Sequence, residues 1–203
     1  MRFKIFLVCI SVYLINLSYT NEAYSHDCKI YCDHINWVTH TDSSNVVHYN
    51  GCVFTVYWSY RYAKCEGIEY CQFKIDKISQ NSTTPGCEIY IQDPYALSMK
   101  AAKEILFQNG YDTPCASGLE PDSCKVNLAV SKSACFQYTN SGPSGPTDLV
   151  PCLEKSICCH STWKLCLDSK GNPLEPVQIS QNGINPICPS GECFGICDEE
   201  EKK

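Results

Sequence analysis

The chain has 203 residues, 17 of them cysteine, and a formal net charge of -6. An acidic chain without basic runs is poorly suited to nucleic acid or to an anionic membrane. Cysteine at about 8% of residues points instead to a disulfide scaffold.

The N-terminus suits export. Arg2 and Lys4 precede an apolar stretch from Ile5 to Leu17, and Ser18 and Thr20 follow. This is the pattern of a secretory signal peptide over residues 1–20, with cleavage between Ser18 and Ser25. The apolar stretch is short for a membrane span, and no later one is longer, so no transmembrane segment is expected in the mature chain. Cys9 would leave with the signal. Removing Arg2 and Lys4 takes the charge to about -8, because no acid precedes Glu22. The remaining cysteines are 16 in number: Cys28, Cys32, Cys52, Cys65, Cys71, Cys87, Cys115, Cys124, Cys135, Cys152, Cys158, Cys159, Cys166, Cys188, Cys193 and Cys197. An even count in an oxidising compartment favours full pairing, and spacing alone leaves the connectivity open.

Residues 21–92 read as a cysteine-rich β half. Asn21 to Asn45 is polar and irregular. Val46 to Tyr49 leads into Asn50-Gly51, a pair suited to a tight primed hairpin turn. In the next strand Cys52, Phe54, Val56, Trp58, Tyr60 and Tyr62 alternate with Val53, Thr55, Tyr57, Ser59 and Arg61. One face is apolar and aromatic, the other mixed, with Tyr57 on the mixed side. Cys71, Phe73 and Ile75 repeat the pattern, as do Cys87, Ile89 and Ile91. Asn81-Ser82-Thr83 between them is an N-glycosylation sequon, with Asn81 the acceptor in a eukaryotic host.

Residues 93–110 are the one predicted helix. Asp93 suits the N-cap, Pro94 the first turn and Asn109-Gly110 the stop, while Leu97, Ala101 and Ile105 recur on one face. Residues 111–203 read as a second cysteine-rich half of strand and loop. Val126, Leu128 and Val130 alternate as a strand, with Ala134, Phe136 and Tyr138 as its partner. Ser141 to Pro146 reads as an exposed loop. Trp163 to Leu167 and Val177 to Ile179 are further strands, separated by a turn at Gly171-Asn172-Pro173. Six of the 16 remaining cysteines, Cys28 to Cys87, lie before the helix and ten, Cys115 to Cys197, after it, so each side could close its own bridges. The expected fold is mainly β with one central α-helix (α+β), its antiparallel sheet or sheets stapled by disulfides and the helix packed on the apolar face.

One cluster could hold a metal. His26, Cys28, Cys32 and His34 present two imidazoles and two sulfurs, a donor set suited to tetrahedral zinc. The competing reading is that Cys28 and Cys32 are oxidised, and a disulfide sulfur is a poor ligand. Cys158-Cys159-His160 resembles a thiol beside a base, but vicinal cysteines in exported scaffolds serve two separate bridges. Gly142 to Pro146 lacks the last glycine of a nucleophile elbow. No zinc-protease, P-loop or dinucleotide motif is present. No catalytic residue and no cofactor is therefore assigned.

The chain resembles uncharacterised cysteine-rich exported proteins of bacteria. The residues that carry the likeness are Val53 to Tyr62 with Tyr60-Arg61, Phe73 to Ile78, the mid-chain helix, Ala134-Cys135-Phe136, Pro151-Cys152, Cys158-Cys159, Trp163 to Asp168, and Cys188, Cys193 and Cys197. The resemblance implies export and brings no activity with it. The sequence thus points to a secreted or cell-surface, non-enzymatic interaction or structural protein. Its expected partner is another protein or surface, or a second copy of itself. The alternatives are a metal protein or enzyme built on His26 to His34, and an inhibitor or toxin-like effector.

Overall fold

The computed structural model describes residues 38–81, 87, 94–133, 135–140, 147–152, 158–182, 188, 194–195 and 197. The expected signal segment, the strand expected from Cys87 to Ile91 beyond Cys87 itself, and the expected Ser141–Pro146 loop lie outside these residues.

The chain begins with a hairpin. β1 (Val38–Tyr49) and β2 (Cys52–Cys65) pair antiparallel across Asn50-Gly51. Both turn residues have positive φ, 50° and 83°, as a primed turn requires. A second turn of the same kind, Glu66-Gly67 with φ 49° and 85°, joins β2 to β3 (Ile68–Gln80). Glutamate is a poor sequence signal for a left-handed residue, and Gly67 supplies the permissive half of this turn.

The helix α1 covers Pro94–Asn109, within one residue of the predicted span at either end, and buries Leu97, Ser98, Ala101, Ala102, Ile105 and Leu106. Two short 3-10 turns follow, Gly110–Asp112 and Pro114–Ala116. Gly110 serves close packing rather than a left-handed turn. A Cβ there would lie 3.1 Å from Leu165 Cδ1. The later strands are β4 (Cys124–Ser133), β5 (Cys135–Asn140), β6 (Thr147–Pro151), β7 (Cys158–Cys166), β8 (Val177–Asn182) and β9 (Phe194–Gly195).

Among the described residues these nine strands form one sheet, in the order β8-β7-β4-β3-β6-β5-β9, with β2 on the other side of β3 and β1 beyond it. The sheet is mixed rather than wholly antiparallel. Cys71 to Ile75 of β3 pair in parallel with Leu128 to Lys132 of β4. β5 is not the partner of β4 either, because the two run on from each other with one residue between them. β6 enters where β4 leaves, pairing with the end of β3 on one side and with β5 on the other.

Strands from both sides of the helix therefore share one sheet and one core. That core holds Phe54, Val56 and Trp58 of β2, Phe73 and Ile75 of β3, Leu128 and Val130 of β4, and Trp163 and Leu165 of β7, beneath α1. Trp58, Tyr60 and Phe73 form a ring cluster with centroids 5.5–6.2 Å apart. Asn45 locks the first hairpin to the end of the helix. Its Oδ1 accepts from Trp58 Nε1 (2.6 Å) and Asn109 Nδ2 (3.0 Å), and its Nδ2 donates to Gln108 Oε1 (2.6 Å).

The bridges do not respect the expected division at the helix. Cys52–Cys87 lies before it, and Cys124–Cys166, Cys135–Cys188 and Cys159–Cys197 lie after it. Cys71–Cys115 spans it, tying the central strand β3 to the segment that leaves the helix. Cys65, Cys152 and Cys158 are disulfide-bonded as well, so every described cysteine is oxidised.

Candidate functional site

Two polar constellations stand out, one on each face of the sheet. The first lies under α1. Along β4, Leu128 and Val130 point into the core, and continuing the alternation puts Lys132 there as well, only 6% exposed. Its Nζ donates to Ser98 Oγ at 2.5 Å and lies 5.0 Å from the centroid of the Tyr95 ring. Ser98, 1% exposed, donates in turn to Tyr95 O at 2.8 Å. Tyr95 Oη donates to Gln181 Oε1 of β8 at 2.9 Å. A cavity with room for about one water molecule adjoins Lys132, Ser161 and Gln181.

A lysine amine touching a serine hydroxyl is the pair used in some serine hydrolases, but here the geometry serves another end. The Ser98 hydroxyl points its hydrogen at a backbone carbonyl, and the residue has almost no exposed surface for a substrate to reach. The pair instead gives a buried amine an acceptor on α1, as a buried polar group requires. It thereby fixes α1 over β4. Ser98→Ala is expected to cost about 0.5–1.5 kcal/mol, the range for losing one intramolecular hydrogen bond. Urea unfolding of the purified protein would measure it.

The second constellation crosses the opposite face. Arg61 Nε on β2 donates to Gln72 Oε1 on β3 at 2.7 Å, and Gln72 Nε2 donates to Ser131 Oγ on β4 at 2.7 Å. Ser131 donates to Phe73 O at 3.2 Å. His160 on β7 is the register partner of Ser131. Gln72 and Ser131 are buried, and His160 Nδ1 is buried with no hydrogen-bond partner among the described residues. Burial, and then the Arg61 guanidinium, hold the His160 pKa below its ordinary value.

The sign of the stability effect follows. Below a pH of about 6.5 the unfolded chain takes up a proton at this histidine and the folded chain resists doing so. The His160 contribution is therefore present above that pH and is lost as pH falls through it. Unfolding midpoints between pH 8 and 5 should decline for the native chain, and His160→Asn should flatten the decline.

Further along this face Tyr57 is 40% exposed, as its place opposite the core residues predicts. Lys77 Nζ sits 5.0 Å from its ring centroid and forms an ion pair with Asp148 at 2.8 Å. Asn81, the sequon asparagine, is exposed just after β3, and its Nδ2 donates to Thr55 Oγ1 at 2.5 Å. Ser82 and Thr83 lie outside the described residues, as do His26, Cys28, Cys32 and His34. Among the described residues no group of histidine, cysteine, aspartate or glutamate is placed to hold a metal.

The Ser98–Lys132 pair was missed in the sequence, although the alternation of β4 contains it. A lysine two residues beyond Leu128 and Val130 falls on the apolar side. The Arg61–Gln72–Ser131 row carried no such signal, since it depends on which strands lie side by side.

Comparison with known proteins adds no relative: no family model, no curated protein and no solved structure matches the chain.

Proposed function

We propose that this chain is a secreted or cell-surface protein that works by binding or by building, as a subunit of an extracellular assembly or as an adhesin-like binder. The observation that carries the reading is the oxidation of every described cysteine within one cross-linked sheet. Such a fold is consistent with an extracellular protein, where disulfides form and persist. The cross-links favour rigidity and protease resistance over catalytic movement. The resemblance to exported bacterial proteins, if the sequence motifs reflect kinship, implies the same compartment. No helix among the described residues is long and apolar enough to cross a membrane.

β8 supplies this reading with a surface. Its one described strand neighbour is β7, and its six residues, Val177 to Asn182, carry no charge. Val177 and Ile179 are each 51% exposed, and Leu174 just before them is 45% exposed. An uncharged edge with exposed apolar residues is open to added strands.

Native mass spectrometry of the secreted protein, paired with pull-down from culture supernatant, tests the proposal. The expected result is a defined oligomer or a captured surface partner, weakened by Val177→Lys with Ile179→Lys. A strictly monomeric protein with no partner would overturn the assembly reading.

A further inference from the structure

Of the five bridges named above, Cys124–Cys166 has a different setting. Cys52–Cys87, Cys71–Cys115 and Cys159–Cys197 are buried at both ends, and Cys135 is buried opposite a half-buried Cys188. Cys124 is exposed, while Cys166 is 9% exposed. The two are direct register partners on the antiparallel strands β4 and β7, with Cα atoms 4.1 Å apart.

Backbone hydrogen bonds hold this pair independently of its sulfurs. Leu167 N donates to Ser123 O at 3.0 Å, and Asp122 N donates to Asp168 O at 3.0 Å, so the two chains stay together just beyond the bridge. Cys166 O accepts from Tyr111 Oη at 3.0 Å and from Leu174 N at 2.9 Å. Opening the disulfide would leave two thiols facing each other in a fixed frame, ready to close again.

We propose that Cys124–Cys166 is a reversible thiol–disulfide exchange site for small thiols, attacked at Cys124. Exchange proceeds by attack of a thiolate on an accessible disulfide sulfur, and exposed bridges are the labile ones. A thiolate RS⁻ bonds to Cys124 Sγ. The Cys124–Cys166 bond breaks, and its electron pair leaves on Cys166 Sγ, which takes a proton from water. A second RS⁻ attacks the RS sulfur of the mixed disulfide, releases Cys124 as a thiolate and departs as RSSR. Two thiols are oxidised to one disulfide, and the bridge gains two electrons. The buried bridges keep the sheet intact meanwhile.

The test uses the full oxidised chain under native conditions. It is incubated with reduced glutathione, quenched with iodoacetamide at intervals and mapped by peptide mass. The expected result is glutathione on Cys124 and the alkyl group on Cys166, appearing at least about tenfold faster than label at any other bridged cysteine, Cys65, Cys152 and Cys158 included. Oxidised glutathione should then restore the bridge. Equal rates at the buried bridges, or glutathione on Cys166 in place of Cys124, would overturn the proposal. The Cys124→Ser, Cys166→Ser double variant, checked by circular dichroism for the native spectrum, should lose the fast phase. A fast phase that persists in it at any other bridged cysteine would also overturn the assignment.

Discussion

Replacing Cys71 and Cys115 together by alanine is expected to destabilise the protein by up to about 4 kcal/mol through chain entropy, with a packing loss on top. The bridge spans a sequence separation of 44 residues, and closing a loop of that length removes roughly this much chain entropy from the unfolded state. Neighbouring bridges already restrict the unfolded chain, which makes the figure an upper value. Two native-state effects act in the same direction. Both cysteines are buried, at 4% and 0% exposure, so their removal leaves unfilled space in the core. Their link also joins the middle of the sheet to the segment leaving α1, so the helix loses its tether to β3. Removing Cys124 and Cys166 opens a loop of almost equal length, with a separation of 42, but from the surface and across a backbone-paired site. The chain-entropy losses should match. The excess for the buried pair, of order 1–2 kcal/mol, is then the packing contribution. Urea unfolding of both double variants without reductant would measure the difference. Equal losses would mean that packing around Cys71 and Cys115 contributes little.

Local pattern made several elements legible. β2 alternates cleanly from Cys52 to Trp58, and its buried face is the apolar one. Asn50-Gly51 marked a turn, and Leu97, Ala101 and Ile105 marked the buried side of α1, because period and turn chemistry are written in neighbouring residues. Partnership is not written that way. Nothing in Cys71 to Ile75 indicates that this stretch runs parallel to Leu128 to Lys132. Nothing in Thr147 to Pro151 indicates that β6 enters between β3 and β5. Val126 shows a subtler failure. It alternates with Leu128 on paper, yet it is 40% exposed, because the β4–β7 register shifts between Lys125 and Leu128. A bulge of this kind turns a residue to the other face without altering the sequence pattern. The polar sites divide in the same way. Lys132 was missed although the alternation of its own strand places it, whereas the row from Arg61 to Ser131 required knowledge of three adjacent strands. The metal expectation rested on His26 to His34, outside the described residues.

Phe73→Ala is expected to cost about 3–5 kcal/mol, as truncation of a fully buried phenylalanine does. Phe73 lies where the parts of the sheet meet: Tyr60 of β2 is its register partner on one side and Val130 of β4 on the other. It is 1% exposed and packs against the Trp58 and Tyr60 rings, with centroids at 5.5 and 5.7 Å. The lost ring would forfeit those contacts and leave a cavity. The surrounding strands cannot easily collapse into it, because they are hydrogen-bonded to one another and held by bridges at Cys52 and Cys71. Tyr57→Ala on β2 is the control. It removes a ring of similar size from the opposite face, where Tyr57 is 40% exposed and the main loss is the contact with Lys77, about 1 kcal/mol or less. Both variants should unfold in urea with unchanged m-values and well-separated midpoints. A similar cost for the two would mean that the face with Gln72 and Ser131 supports stability as strongly as the helix-covered face, and that the core does not end at the plane of the sheet.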